Sequence, residues 1–277
     1  MAEATLLGFP AKYLSLATLV IQNSMLVLIM KYSRNTGSEE SYLASTAVML
    51  SEIAKLIICL AMHLAEQPAP FSPLRLCHDL FGSESDAWKM MVPAGIYVVQ
   101  NNLQYLAVSN LDPASFQVSY QFKIITTAVF SVLMLKRTLT RQKWFSLICL
   151  TLGIALVQIP SGESASPSKH TGLQNVIGLL AVAVACILSG LAGVWFEKVL
   201  KGSKASLWLR NTQLSFFSLI PALLGVCVMD GAFISKNGFF HGYSVWTFAT
   251  IACQALGGLI VSLVVKVCHP APFTTSF

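Results

Sequence analysis

The sequence predicts an all-α protein that crosses a membrane repeatedly, and three observations carry that reading. Of 277 residues, 55% are apolar and 11% charged, with a mean hydropathy of +0.67. A soluble domain carries roughly 25% charged residues and needs them to cover its surface. The apolar residues gather in eight runs close to the length that crosses a bilayer, about 20 residues each. The basic residues, finally, fall predominantly on one side of those runs. Helices are the expected element, because a helix satisfies its own backbone groups in lipid.

The runs follow in order. Tyr13–Met30 lies between Lys12 and Lys31; it is too long for a signal-peptide core and has no small-residue cleavage site after it. Tyr42–Ala65 and Met90–Ser109 come next, then Pro113–Leu135. Trp144–Ile159 is short, so its helix is expected to begin within the preceding basic turn. A polar, Ser/Pro-rich loop, Pro160–Gly172, separates it from Leu173–Phe196, Leu207–Val228 and Val245–Val267. Trp88, Trp144, Trp195, Trp208 and Trp246 all stand near run ends, where interfacial aromatics belong.

Lys12, Arg75, Lys89, Lys136, Arg137, Arg141, Lys143, Lys198, Lys201, Lys204, Arg210 and Lys266 fall on one side, against Lys31, Arg34, Lys169 and Lys236 on the other, twelve to four. The positive-inside rule then places both termini in the cytosol. The net charge of +6 reports this orientation rather than nucleic-acid binding. The seven cysteines form no CxxC pair and read as small apolar side chains between helices. The five histidines do not cluster, so no metal site or cofactor is expected. No triad, Walker loop or embedded pair of acids points to an enzyme.

Charges in mid-membrane cost about 2.5–3.5 kcal/mol each, and three stand out. Glu52 and Lys55 lie one helical turn apart in the second run. Lys123 is the eleventh residue of the 23-residue fourth run, and the nearest acid along the chain, Asp112, is eleven positions back. Helical spacing puts Ser45, Glu52, Lys55 and Cys59 on one face, and Tyr97, Asn101, Gln104 and Tyr105 on another. Gln117, Tyr120, Gln121, Lys123 and Thr127 form a polar flank. The seventh run adds Asn211 and Gln213. Ser189, Gly190 and Gly193, and Gly257 with Gly258, allow close helix approach. Glu52 with Lys55 reads equally as a self-neutralising structural pair, and the amides as interhelical glue. Lys123 reads as a ligand group: an ammonium suits a phosphate, aromatics such as Tyr97 and Tyr120 can flank a flat ring, and amides such as Asn101, Asn211 and Gln213 can read its edge. An anionic ligand with a base, a nucleotide, fits that set.

The stretch Tyr97–Pro160, with QNN…SNLD…QVSYQFK in order, resembles the nucleotide-sugar transporters of the Golgi, as do Ser189–Ser203, Ser206–Leu214, Ser235–Tyr243 and Gln254–Lys266. The likeness covers the chain nearly to Lys266 and is nearest to the branch carrying UDP-N-acetylglucosamine or UDP-galactose. The resemblance implies a ten-helix inverted-repeat transporter that exchanges a UDP-sugar for UMP across the Golgi membrane. On that pattern, residues 1–159 form a first five-helix repeat, 160–172 a lumenal loop, 173–267 an incomplete second repeat of three helices, and 268–277 an atypical cytosolic tail. It further implies that Lys123 meets the phosphate, Tyr97 and Asn101 contact the nucleotide, Ser189 and Asn211 line the second half of the cavity, and Glu52 and Lys55 are the family's charged pair. Phe122 and Trp195 depart mildly, replacing the usual leucine and tyrosine. The run Val267–Phe277 departs strongly, with Pro270 and Pro272 ending any helix. This departure implies a shortened form that transports weakly or not at all. The alternative is a non-transporting partner, a homo-oligomer or an associate of related transporters or Golgi glycosyltransferases.

Overall fold

A computed structural model describes residues 5–6, 9–35, 42–66, 72–82, 86–157, 172–201 and 206–268. All eight apolar runs are helical. They correspond to α1 (Ala11–Asn35), α2 (Ala44–Glu66), α4 (Met91–Asn110), the pair α5 (Pro113–Tyr120) and α6 (Lys123–Leu135), α7 (Arg141–Val157), α8 (Gly172–Lys201), α9 (Leu207–Met229) and α11 (Val245–Cys268). The fifth run does begin in the basic turn, at Arg141. Four segments, 44–66, 113–135, 172–200 and 207–229, are long and apolar enough to cross a bilayer outright, and α11 adds a shorter apolar stretch over 245–261. The protein is an all-α polytopic membrane protein. A two-residue antiparallel pair, Thr5–Leu6 with Phe9–Pro10, precedes α1. The tail 269–277 and the loop 158–171 lie outside the described residues.

Two short helices were not legible as runs. These are α3 (Pro73–Phe81), started by Pro73 and set against α9 through Phe81 on Phe216 and Phe217, and α10 (Gly231–Asn237). The fourth run is also not one helix. Gln121 N–H bonds to Val118 at 3.1 Å, Phe122 N–H to Ser119 at 3.0 Å, and Ile124 N–H to Gln121 at 2.9 Å. These are 3₁₀-type bonds that tighten one turn in mid-span, a feature associated with hinges.

The bundle is sorted inside out relative to a soluble protein. Its exposed positions are apolar: Leu28, Leu133, Phe145, Leu156, Leu224 and Val228 all face outward. Its buried positions include Ser51, Glu52, Gln100, Arg210, Gln213, Thr250 and Gln254. Lipid solvates the first set, and only protein partners can satisfy the second. The main helix pairs are α4 with α8, α2 with α9, α1 with α11, and α6 with α8. At one end Arg137 pairs with Glu197, and Trp195 Nε1 donates to the Lys89 carbonyl at 3.1 Å. At the other, Lys31 Nζ donates to the carbonyls of Val108 and Leu111, at 2.9 and 2.8 Å. It thereby satisfies the C-terminal carbonyls of α4 that a helix leaves open. Arg210 is 1% exposed on the first turn of α9, its guanidinium donating to Gln213 at 2.9 Å.

The small residues do allow close approach. A Cβ on Gly190 would meet Thr126 Oγ1 at 2.6 Å and the Thr127 backbone nitrogen at 2.8 Å. The Thr126 hydroxyl uses that proximity to donate to the Cys186 carbonyl of α8 at 2.7 Å. Gly190→Ala is expected to push α6 from α8 and lower stability by about 1–3 kcal/mol, the cost of overpacking. Gly225→Ala, where a Cβ meets nothing within 4 Å, serves as the control. Thermal melts in detergent check this; equal melting of the two variants contradicts it.

Candidate functional site

Lys123 is the first residue of α6, placed there by the tightened turn. No carboxylate lies within ion-pair distance of it among the described residues. Its ammonium instead sits over the ring of Tyr120, 4.4 Å from the centroid. That ring is nearly parallel to Phe116, at 5.4 Å and 15°. The Tyr120 hydroxyl receives the side-chain amides of Gln100, at 3.0 Å, and Gln104, both from α4. Ser189 of α8 lies against the same phenol. The turn also turns out the Tyr120 carbonyl, which accepts the Cys186 thiol at 3.5 Å. Cys186, expected only to fill space, therefore helps hold the turn.

The second half of the layer is built on α2. Lys55 Nζ pairs with Glu52 Oε1 at 2.5 Å, the one-turn pair that the spacing allowed. Asn101 Nδ2 reaches the same oxygen at 3.5 Å. Glu52 is 1% exposed, and its Oε2 is buried with no hydrogen-bond partner among the described residues. Tyr97, on α4 one turn before Asn101, is within electrostatic range of both Glu52 and Tyr120. Its hydroxyl faces Gly193 of α8, where a methyl would meet it at 3.9 Å. The Lys55 stem passes Gly258 of α11, with only 3.3 Å to an added Cβ.

The structure thus gathers seven of the nine expected residues into one layer: Glu52, Lys55, Tyr97, Asn101, Tyr120, Lys123 and Ser189. Gln213 is not among them. It is fully buried on α9, donates to the Leu80 carbonyl of α3 at 3.0 Å and accepts from Arg210. Asn211, buried on the same turn, donates to the Leu207 carbonyl at 3.1 Å. Gln100 stands in the QNN motif and Gln104 on the α4 polar face, and the sequence alone assigns neither a role. Their i,i+4 spacing on α4 was the available signal; their common target on α5 was not. The Tyr120 ring stacks on Phe116 and carries the Lys123 ammonium.

A cleft between α1, α4 and α5, lined by Asn23, Gln104, Gln117 and Tyr120 with apolar Leu26 and Met30, leaves about 20 Å³. One water fits such a space. No three His, Cys, Asp or Glu side chains converge among the described residues.

A bundle of lipid-length helices that keeps an ammonium inside, over a phenol ring and with no carboxylate in ion-pair distance among the described residues, is the architecture of a polytopic membrane transporter. The chain belongs to the nucleotide-sugar transporter family, whose family model matches residues 8–270. It is 48% identical over 260 residues to the UDP-N-acetylglucosamine transporter of Rattus norvegicus, covering 92% of this chain and 79% of that protein. It is 47% identical over 264 residues to the UDP-galactose transporter of Schizosaccharomyces pombe, covering 93% and 74%. A UDP-N-acetylglucosamine/UDP-N-acetylgalactosamine transporter of Caenorhabditis elegans is 46% identical over 265 residues, covering 92% and 78%. Members of this family move their substrates and are not enzymes.

Proposed function

We propose that this chain carries a UDP-sugar, UDP-N-acetylglucosamine or UDP-galactose, into the Golgi lumen in exchange for UMP, with both termini cytosolic. The carrying observation is Lys123, a cation held in mid-bundle with no carboxylate in ion-pair distance among the described residues. Lys123 meets the phosphates, Tyr97 and Asn101 contact the nucleoside, and Ser189 lines the far wall. Exchange suits this chemistry: UDP-sugar and UMP carry similar charge, so swapping them costs little against a membrane potential.

Two repeats, residues 1–159 and 173–267, rock about the layer. The helix pairing supports this division. Exchanging α1 with α8, α2 with α9 and α4 with α11 turns the pair α1·α11 into α8·α4 and leaves α2·α9 unchanged. An inverted repeat has that property. The bundle then opens to one side at a time, breaking either the Arg137–Glu197 end or the end where Ser45 donates to Asp230 and Tyr243 donates to Thr46 at 2.9 Å.

Thermal stabilisation of the purified chain by UMP, CMP, GMP and their sugar conjugates tests the assignment. Uridine compounds are expected to raise the melting temperature selectively. Equal shifts with every nucleotide, or none with any, refute it.

A further inference from the structure

We propose that Tyr120 is a resting seat for the Lys123 ammonium, locked in place by Gln100 and Gln104, from which an incoming phosphate must lift the lysine. This rests on the reading of Lys123 as the phosphate group of the site. Gln100 and Gln104 are then positioning residues, acting on ligand affinity through a ring they fix.

The argument begins with the phenol. A tyrosine hydroxyl has two acceptor lone pairs and one donor. Gln100 and Gln104 both donate to the Tyr120 oxygen, and Ser189 lies against it, so its bonding capacity is committed. The ring cannot swivel, because stacking on Phe116 fixes its plane while two amides one turn apart on α4 fix its tip. The backbone beneath is held too, since the Tyr120 carbonyl takes the Cys186 thiol. Such fixation exceeds what packing requires, and it presents a negative ring face at one place. Lys123, three residues on, lays its ammonium there at 4.4 Å. Cation–π attraction strengthens as water is excluded, and Lys123 has no carboxylate to compete for it among the described residues. The ring thus does for the empty carrier what a phosphate does for the loaded one. With the lysine seated, a base cannot stack on that face; once a phosphate draws the ammonium away, the face is uncovered. Ligand charge and ligand ring are read in sequence.

The seat opposes anion binding, so its removal has an unusual sign. In the purified full chain, Tyr120→Leu is expected to bind inorganic pyrophosphate, a probe with charge and no ring, about two- to five-fold more tightly. Uridine, which has a ring and no charge, should bind no tighter. Gln104→Leu unlocks the ring and should shift pyrophosphate affinity in the same direction by less, while Gln104→His, which keeps a donor, should restore the parent value. Tyr120→Phe keeps the ring and should bind closer to the parent than Tyr120→Leu does. A purely structural Tyr120 predicts the reverse, weaker binding of every probe. Pyrophosphate binding by folded Tyr120→Leu that is equal to or weaker than the parent's overturns the proposal. Should Tyr120→Leu not fold, Gln104→Leu decides by the same criterion. If Lys123→Gln abolishes pyrophosphate binding but neither seat variant strengthens it, only this proposal falls. If the parent binds neither pyrophosphate nor UMP, the nucleotide reading falls with it.

Discussion

Lys123→Ala is expected to weaken UMP binding by about a hundredfold or more while leaving the melting temperature of the empty protein unchanged or raised. Truncating one partner of a buried, hydrogen-bonded charge pair costs about 2–5 kcal/mol, roughly thirty- to several-thousand-fold in affinity. The phosphate left behind would face a low-dielectric layer whose other cation, Lys55, is already paired with Glu52 at 2.5 Å. Stability should move the other way, because a cation without a carboxylate is a burden to the empty bundle and the ring at 4.4 Å offsets only part of it. The divergence is the informative part. A structural lysine would lose stability and binding together; a ligand lysine loses binding alone. Titration calorimetry with UMP and melts without ligand separate the two, and retention of UMP affinity by the alanine variant would sink the site assignment.

What the sequence disclosed follows the range of each force. Apolar length is local, so all eight runs met helices. The Glu52–Lys55 contact spans one turn of one helix, and helical geometry alone brought it into view. The mid-span turn at Gln121–Phe122 left no mark, since Val118–Ile125 contains neither proline nor glycine; the turn is held from outside, by the Cys186 thiol and the α4 amides. Gln100 and Gln104 were visibly polar, but their target depends on how α4 and α5 pack across the bundle, which no spacing rule supplies. Gln213 turned to α3 for a related reason: only the packing of α3 on α9 reveals that the Leu80 carbonyl takes its amide. Short helices such as α3 and α10 fall below the length at which apolar periodicity can be counted.

The Glu52–Lys55 pair admits two readings, structural or mechanistic, and a double-mutant cycle separates them. Lys55→Met strands a carboxylate that is 1% exposed, with only Asn101 at 3.5 Å, and is expected to cost about 3–5 kcal/mol of stability. Glu52→Leu should cost less, because Lys55 retains 17% exposure and a long stem that can carry its ammonium toward water. The double variant should melt near the parent, since an apolar pair of similar size replaces a buried ion pair with little loss. Charge sets the binding order. Glu52, Lys55 and Lys123 give the layer one net positive charge; Glu52→Leu raises it by one, Lys55→Met cancels it, and the double variant leaves it unchanged. UMP should therefore bind most tightly to Glu52→Leu, least to Lys55→Met, and with near-parent affinity to the double variant. Turnover is where the readings part. A pair that only braces α2 predicts parent-like exchange in the double variant, in liposomes loaded with UMP. We expect exchange to fall about tenfold instead, because the buried Oε2 of Glu52 has no hydrogen-bond partner among the described residues, and a buried acceptor left unmatched costs about 1–3 kcal/mol. A conformation of the cycle that supplies the missing donor would relieve that cost, and a leucine offers no such acceptor.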